Sequence, residues 1–127
     1  MIQKNDLRIG NLVLVHNHYV AEVISIGDKI GVKTVGEPKA NIDYLDLEFI
    51  SPIPINEKWL LDLDFEQIGN NGGHLKKDLL HWYKDSGLYL EYDNGINGAD
   101  IFIDIEFINQ VQNLYYSIYL KELNHKI

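Results

Sequence analysis

Carboxylates and histidines are the residues in this chain whose types and spacing could do chemistry. Asp62, Asp64 and Glu66 form one set at even spacing, and Asp100, Asp104 and Glu106 form another. General acid–base catalysis needs one such carboxylate in an apolar pocket, where it keeps its proton to higher pH. The second set shares a strand face with Phe102, so a small hydrolase using Asp100, Asp104 and His81 is one reading. A solvated acidic face is the plainer one. His16 and His18 lie two apart and would share a face on a strand, where two imidazoles can chelate a metal. No third ligand accompanies them, and a pair of exposed turn histidines explains them as well. Asp93, Asn97, Gly98 and Asp104 fall at positions one, five, six and twelve of a calcium loop. Gly95 takes the third position, where a ligand is wanted, and the flanks read as strands rather than helices. A hairpin loop of glycines is the simpler reading.

The chain has no cysteine. That removes disulfides, a thiolate nucleophile and cysteine zinc sites. It also contains no phosphate loop, dinucleotide fingerprint, nucleophile elbow or HExxH zinc helix. No catalytic residue, metal ligand or cofactor is therefore assigned. What stands out instead is an aromatic-rich second half: Trp82, Tyr83, Tyr89, Tyr92, Tyr115, Tyr116 and Tyr119, with His81 beside them. Tyrosine and tryptophan combine area with a polar tip and are enriched at interfaces. Tyr116, Tyr119, Trp82 and Tyr89 are the candidate binding residues, for a protein partner or for a second copy in a homo-oligomer. Core packing is the competing explanation.

These side chains need elements to position them. The segment from Asp100 to Leu123 organises the reading. Ile101, Ile103 and Ile105 alternate with Asp100, Phe102, Asp104 and Glu106, the pattern of a half-buried strand with an acidic outer face. From Ile108 the spacing changes. Ile108, Val111, Leu114, Tyr115 and Ile118 make one stripe of a helix, with Asn109, Gln110, Gln112, Asn113 and Ser117 opposite. A helix of that length is marginal alone, so its stripe must dock on a sheet.

Upstream, Leu12–Val15, Tyr19–Ile26 and Ile30–Val35 read as strands, the last two joined by a Gly27-Asp28-Lys29 hairpin. Ile42, Tyr44 and Leu47 suggest a fourth strand, and Phe49-Ile50 a fifth or a short turn. Such spacing predicts a small closed barrel, broadly SH3-like. Pro52 and Pro54 make an extended boundary. Asn56 then caps a short helix carrying Trp59, Leu60 and Leu63. Phe65–Ile68, Leu79–Lys84 and Leu88–Tyr92 follow as strands, although Leu75–Tyr83 also fits a short helix. The expected fold is α+β: an SH3-like barrel over residues 1–54, then a helix, an antiparallel sheet and a closing helix packed on that sheet over 55–127.

Three stretches resemble one family. They are Leu7-Arg8-Ile9-Gly10-Asn11-Leu12-Val13, then Pro52-Ile53-Pro54-Ile55-Asn56-Glu57-Lys58-Trp59-Leu60-Leu61 with Phe65, then Gln110-Val111-Gln112-Asn113-Leu114-Tyr115 with Glu122-Leu123. In order and spacing this set is similar to small uncharacterised proteins of bacteroidete genomes and their prophage-like or mobile elements. Their pattern runs R-I-G-N, P-I-P-L-T-E-E-W-L-L-K-F-G-F, V-H-Q-L-Q-N-L-Y and T-G-E-E-L. The match spans nearly the whole chain. Asn109 stands where that family often has histidine, and Asp64 and Leu120 stand where it often has glycine. The resemblance implies a mobile-element setting and supplies no mechanism.

The net charge is −8, from 19 acidic and 11 basic residues. It repels polyanions, which opposes nucleic-acid binding through the small barrel. No run of about twenty apolar residues could span a membrane. The polar start, Met1 to Asp6, lacks a signal-peptide core, so a cytoplasmic location is expected. The expected function is a non-enzymatic protein-binding or adaptor module of a phage or mobile element.

Overall fold

The computed structural model describes residues 2–70, 72–92 and 99–126. The fold is α+β: two five-stranded antiparallel sheets and two α-helices. The chain divides into two compact units. One joins the chain up to Pro54 with Phe107–Leu123; the other joins Ile55–Glu106 with Asn124–Lys126. No described helix is long and apolar enough to cross a membrane.

In the first unit, β1 (Leu12–Val15), β2 (Tyr19–Ile26), β3 (Ile30–Thr34), β4 (Asp43–Leu45) and β5 (Ile50–Ser51) lie in the order β4-β3-β2-β1-β5. Val13, Val15, Ala21, Val23, Ile30, Val32 and Ile50 form its core with Ile2 and Leu7. Two short 3-10 turns, Lys4–Asp6 and Leu47–Phe49, precede β1 and β5. The strands match the hairpin pattern in the sequence. The expected closure does not: β4 and β5 end the sheet, and no ladder joins them among the described residues. β4 is only three residues long and largely exposed, too short to reach round.

The helix α2 (Ile108–Tyr119) packs on β1. Its entry is fixed by backbone: Pro54 bridges Phe107, and the Ile108 N–H donates to Ile53 O at 2.8 Å. Phe107 has no side-chain acceptor, so the cap is one-sided; Gln110 Oε1 accepts from the Phe107 N–H at 3.0 Å. This grouping differs from the expected division into 1–54 and 55–127, in which α2 covered the second sheet. The buried face differs too. Ile108, Val111 and Tyr115 are buried as expected, but so are Asn109 and Gln112, while Ile118 is 37% exposed. The cause is the irregular backbone before β1, which needs polar partners rather than methyl groups.

In the second unit, α1 (Glu57–Asp62) starts at Asn56, whose Oδ1 accepts from the Trp59 N–H at 2.8 Å. β6 (Glu66–Gln67), β7 (His74–Lys77), β8 (Leu80–Tyr83), β9 (Gly87–Tyr92) and β10 (Ala99–Ile103) follow in the order β10-β9-β8-β7-β6. α1 packs on β7. Leu60, Leu63, Phe65, Leu75, Leu80, Trp82 and Leu88 are buried. Leu75 to Tyr83 is a hairpin, not a helix. β10 ends at Ile103, earlier than the alternation suggested, and Ile101 is 49% exposed. It lies on an end strand, with a neighbour on one side only.

Candidate functional site

The residues that most resemble a motif form a fastener inside the first unit. Gln112 acts as an extra strand: its Oε1 accepts from the Leu12 N–H at 2.8 Å and its Nε2 donates to Gly10 O at 3.2 Å. Asn113 Oδ1 accepts from Asn11 Nδ2 at 2.7 Å and from Arg8 Nε at 3.2 Å, and its Nδ2 donates to Asp6 O at 2.9 Å. The Arg8 guanidinium pairs with both oxygens of Glu122 and lies 4.3 Å over the Tyr116 ring. Arg8, Asn11, Asn113 and Glu122 are therefore bonded into one network, and the Gln112 amide is taken up by backbone beside it. A bidentate arginine held this way is already occupied, which suits positioning rather than turnover.

The candidate site is one face of the second sheet. Side chains alternate across strands, and the register puts His74 opposite Tyr83, Lys76 opposite His81, His81 opposite Tyr89, Tyr89 opposite Phe102 and Glu91 opposite Asp100. All of them share that face; the buried Leu75, Trp82 and Leu88 point the other way. The rings form a continuous row. His74 stacks on Tyr83 with centroids 4.4 Å apart, Tyr83 meets Tyr89 edge-on at 5.6 Å, and Tyr89 meets Phe102 at 5.4 Å. Each such pair is worth about 0.5–1.5 kcal/mol beyond its burial. Gly87 makes room at the end of the row, since a Cβ there would lie 3.2 Å from the Phe102 ring.

A hydrogen-bonded relay runs through the same face. His81 Nε2 lies 3.1 Å from Glu91 Oε2, and His81 Nδ1 lies 2.9 Å from His74 Nε2. A carboxylate only accepts, so His81 donates from Nε2; in the neutral ring Nδ1 then accepts from His74 Nε2. Desolvation, and next the neighbouring His81, push the His74 imidazole below its ordinary value. Burial, then Asp100 and Glu91, raise Tyr83, so its phenol keeps its proton. Lys76 shares Glu91, at 3.8 Å.

Of the residues singled out from the sequence, Tyr89 lies in this row and is half-buried. Trp82 is 8% exposed and belongs to the buried face, so it offers no contact surface. Tyr116 and Tyr119 are on α2 in the first unit; Tyr116 carries Arg8 and Tyr119 packs on Tyr115 at 4.6 Å. His16 and His18 are exposed residues of the β1–β2 turn, and His16 rests on Phe49. No group of three described residues could hold a metal ion. The central part of the calcium-like segment, 93–98, lies outside the described residues. Lys77, bonded to Asp64 at 3.0 Å, holds that carboxyl below its usual range, the opposite of what a general acid needs. Asp100 and Asp104 are both exposed.

Sequence reasoning missed His74, Glu91 and Phe102 as companions of Tyr89. Even spacing within β8, β9 and β10 was visible; the pairing register that aligns them was not. Comparison with known proteins returns no match: no family model, curated protein or solved structure is similar to the chain.

Proposed function

We propose that the protein is a non-enzymatic protein-binding module, an adaptor of a phage or mobile element acting in the cytoplasm, with the His74–Tyr83–Tyr89–Phe102 face as its contact surface. The observation that carries this reading is the row itself. Four rings in mutual contact stand on a sheet face, and Phe102 at its end is 55% exposed. A preformed aromatic row loses little side-chain entropy on binding, which is why such rings serve as interface anchors. The acidic rim, Glu91 and Asp100, favours a partner with a cationic surface. The SH3-like reading of the first unit belongs to the same proposal. Its support is the return of β5 beside β1 after a 3-10 turn. The net charge of the whole chain still opposes a nucleic-acid partner.

The test is site-directed photo-crosslinking in the producing cell, with a benzophenone amino acid in place of Tyr89 or Phe102. Tyr44, 62% exposed in the first unit, is the control position. A discrete protein adduct at 89 and 102 but not at 44 is expected. Absence of adducts at both positions contradicts the module.

The Glu91–His81–His74 relay favours a second reading, a small hydrolase in which His74 or His81 takes a proton. Asp100, on the same face, would assist. Turnover of simple ester and phosphoester substrates that disappears in His81→Gln would establish it; equal rates in the two proteins would end it.

A further inference from the structure

We infer that the free edge of β10 is a docking strand for an extended, basic segment of a partner protein, which adds to the second sheet as a sixth strand. This rests on the binding-module reading and names its mode. The backbone geometry comes first. The Glu91 N–H donates to Leu79 O, so Glu91 and Tyr89 bond toward β8. Antiparallel ladders alternate, so Leu88, Leu90 and Tyr92 bond toward β10, to Ile103, Ile101 and Ala99. Asp100 and Phe102 then direct their N–H and C=O groups away from β9. β10 ends the sheet, and no described residue pairs with that side. An unpaired edge is a template for another chain.

The side chains select the occupant. Ile101 is 49% and Phe102 55% exposed, one on each face of the same edge strand. An added strand would cover both. Its register would also place side chains beside Asp100. Asp100 stands directly opposite Glu91 in the non-hydrogen-bonded pairing, where side chains approach closest and like charges are destabilising. Glu91 has the Lys76 ammonium at 3.8 Å and a hydrogen bond to His81 Nε2. Asp100 has no cation among the described ion pairs, and Asp104 lies exposed just beyond the strand. A lysine or arginine on an incoming strand would supply the missing charge. A second copy of this chain fits less well, because each copy brings a net charge of −8.

The experiment uses the full chain, labelled with nitrogen-15, and a fluorescein-tagged nine-residue peptide of alternating lysine and valine. Two peptides serve as controls: one N-methylated at alternate amides along one edge, with unchanged charge, and one with glutamate for lysine. The lysine peptide is expected to bind, to shift the Asp100 and Phe102 amides and to slow their exchange. The methylated and glutamate peptides are expected to bind at least tenfold more weakly. Asp100→Lys with Asp104→Lys is expected to weaken the lysine peptide at least tenfold, with an unchanged circular dichroism spectrum as the folding control; Asp28→Lys, in the β2–β3 turn, is expected to leave binding unchanged. Equal binding of the methylated peptide, unmoved Asp100 and Phe102 amides, or sedimentation as a dimer that blocks them would each overturn the inference. If photo-crosslinks at Tyr89 and Phe102 persist in that event, the module stands and only its mode is wrong. If they also fail, both fall.

Discussion

Gln112 shows how a polar side chain comes to be buried. It is 1% exposed and closes two backbone groups at the start of β1, the Leu12 N–H and Gly10 O. Gln112→Leu keeps the volume and orphans both groups. A loss of about 2–4 kcal/mol is expected by urea unfolding, since each stranded buried group costs about 1–3 kcal/mol. Periodicity alone sends Gln112 and Asn109 outward; nothing in the spacing of α2 reports that a distant backbone needs an amide. His74 gives a pH dependence of definite sign. Its folded value lies below the ordinary 6.5, so the unfolded chain binds more protons in that range. The stability it contributes is complete above about 6.5 and falls as pH drops toward the lower folded value. Unfolding free energies measured between pH 7 and 5 are expected to decline in the native chain and to decline less in His74→Gln.

Among the elements, the early strands were legible because hairpin chemistry marks both ends, as Gly27-Asp28-Lys29 does between β2 and β3. β7 was not legible. His74-Leu75-Lys76-Lys77 has one apolar residue, and its register comes from the two-residue turn at Asp78 and Leu79, where Asp78 has a φ of 52°. Helix ends carried a subtler signal. Leu120 ends α2 in the left-handed region at a φ of 56° and is 77% exposed. Asp64 adopts a φ of 71°. Glycine is the residue that takes this geometry without strain. Leu120→Gly is expected to stabilise the protein by about 0.5–1 kcal/mol, set by relief of left-handed strain less the added freedom of the unfolded chain. Leu120→Ala keeps the strain and is expected to give no gain; thermal unfolding separates the two. Asp64→Gly carries no such expectation, because it also removes the ion pairs to Lys77 and Lys126.

At the scale of the molecule, the chain crosses between units twice, at Pro54–Ile55 and at Glu106–Phe107, before its last residues return to the second. A change in period near Phe107 was visible in the sequence as a strand giving way to a helix. Which sheet that helix covers was not, because hydrophobic spacing specifies a buried face and not its partner. The partner is named by polar residues: Arg8, Gly10, Asn11 and Leu12 meet Gln112, Asn113 and Glu122 from about a hundred positions away. Residues 8–12 and residues 112, 113 and 122 are thus one fastening inside the first unit. Amide hydrogen exchange of the full chain, native against Gln112→Leu, tests this most directly. Faster exchange is expected at Leu12, Val13, Val23 and through α2, with Leu75, Leu80 and Leu88 unchanged. Unaltered exchange at Leu12 and Val23, or acceleration confined to the second sheet, would contradict the account.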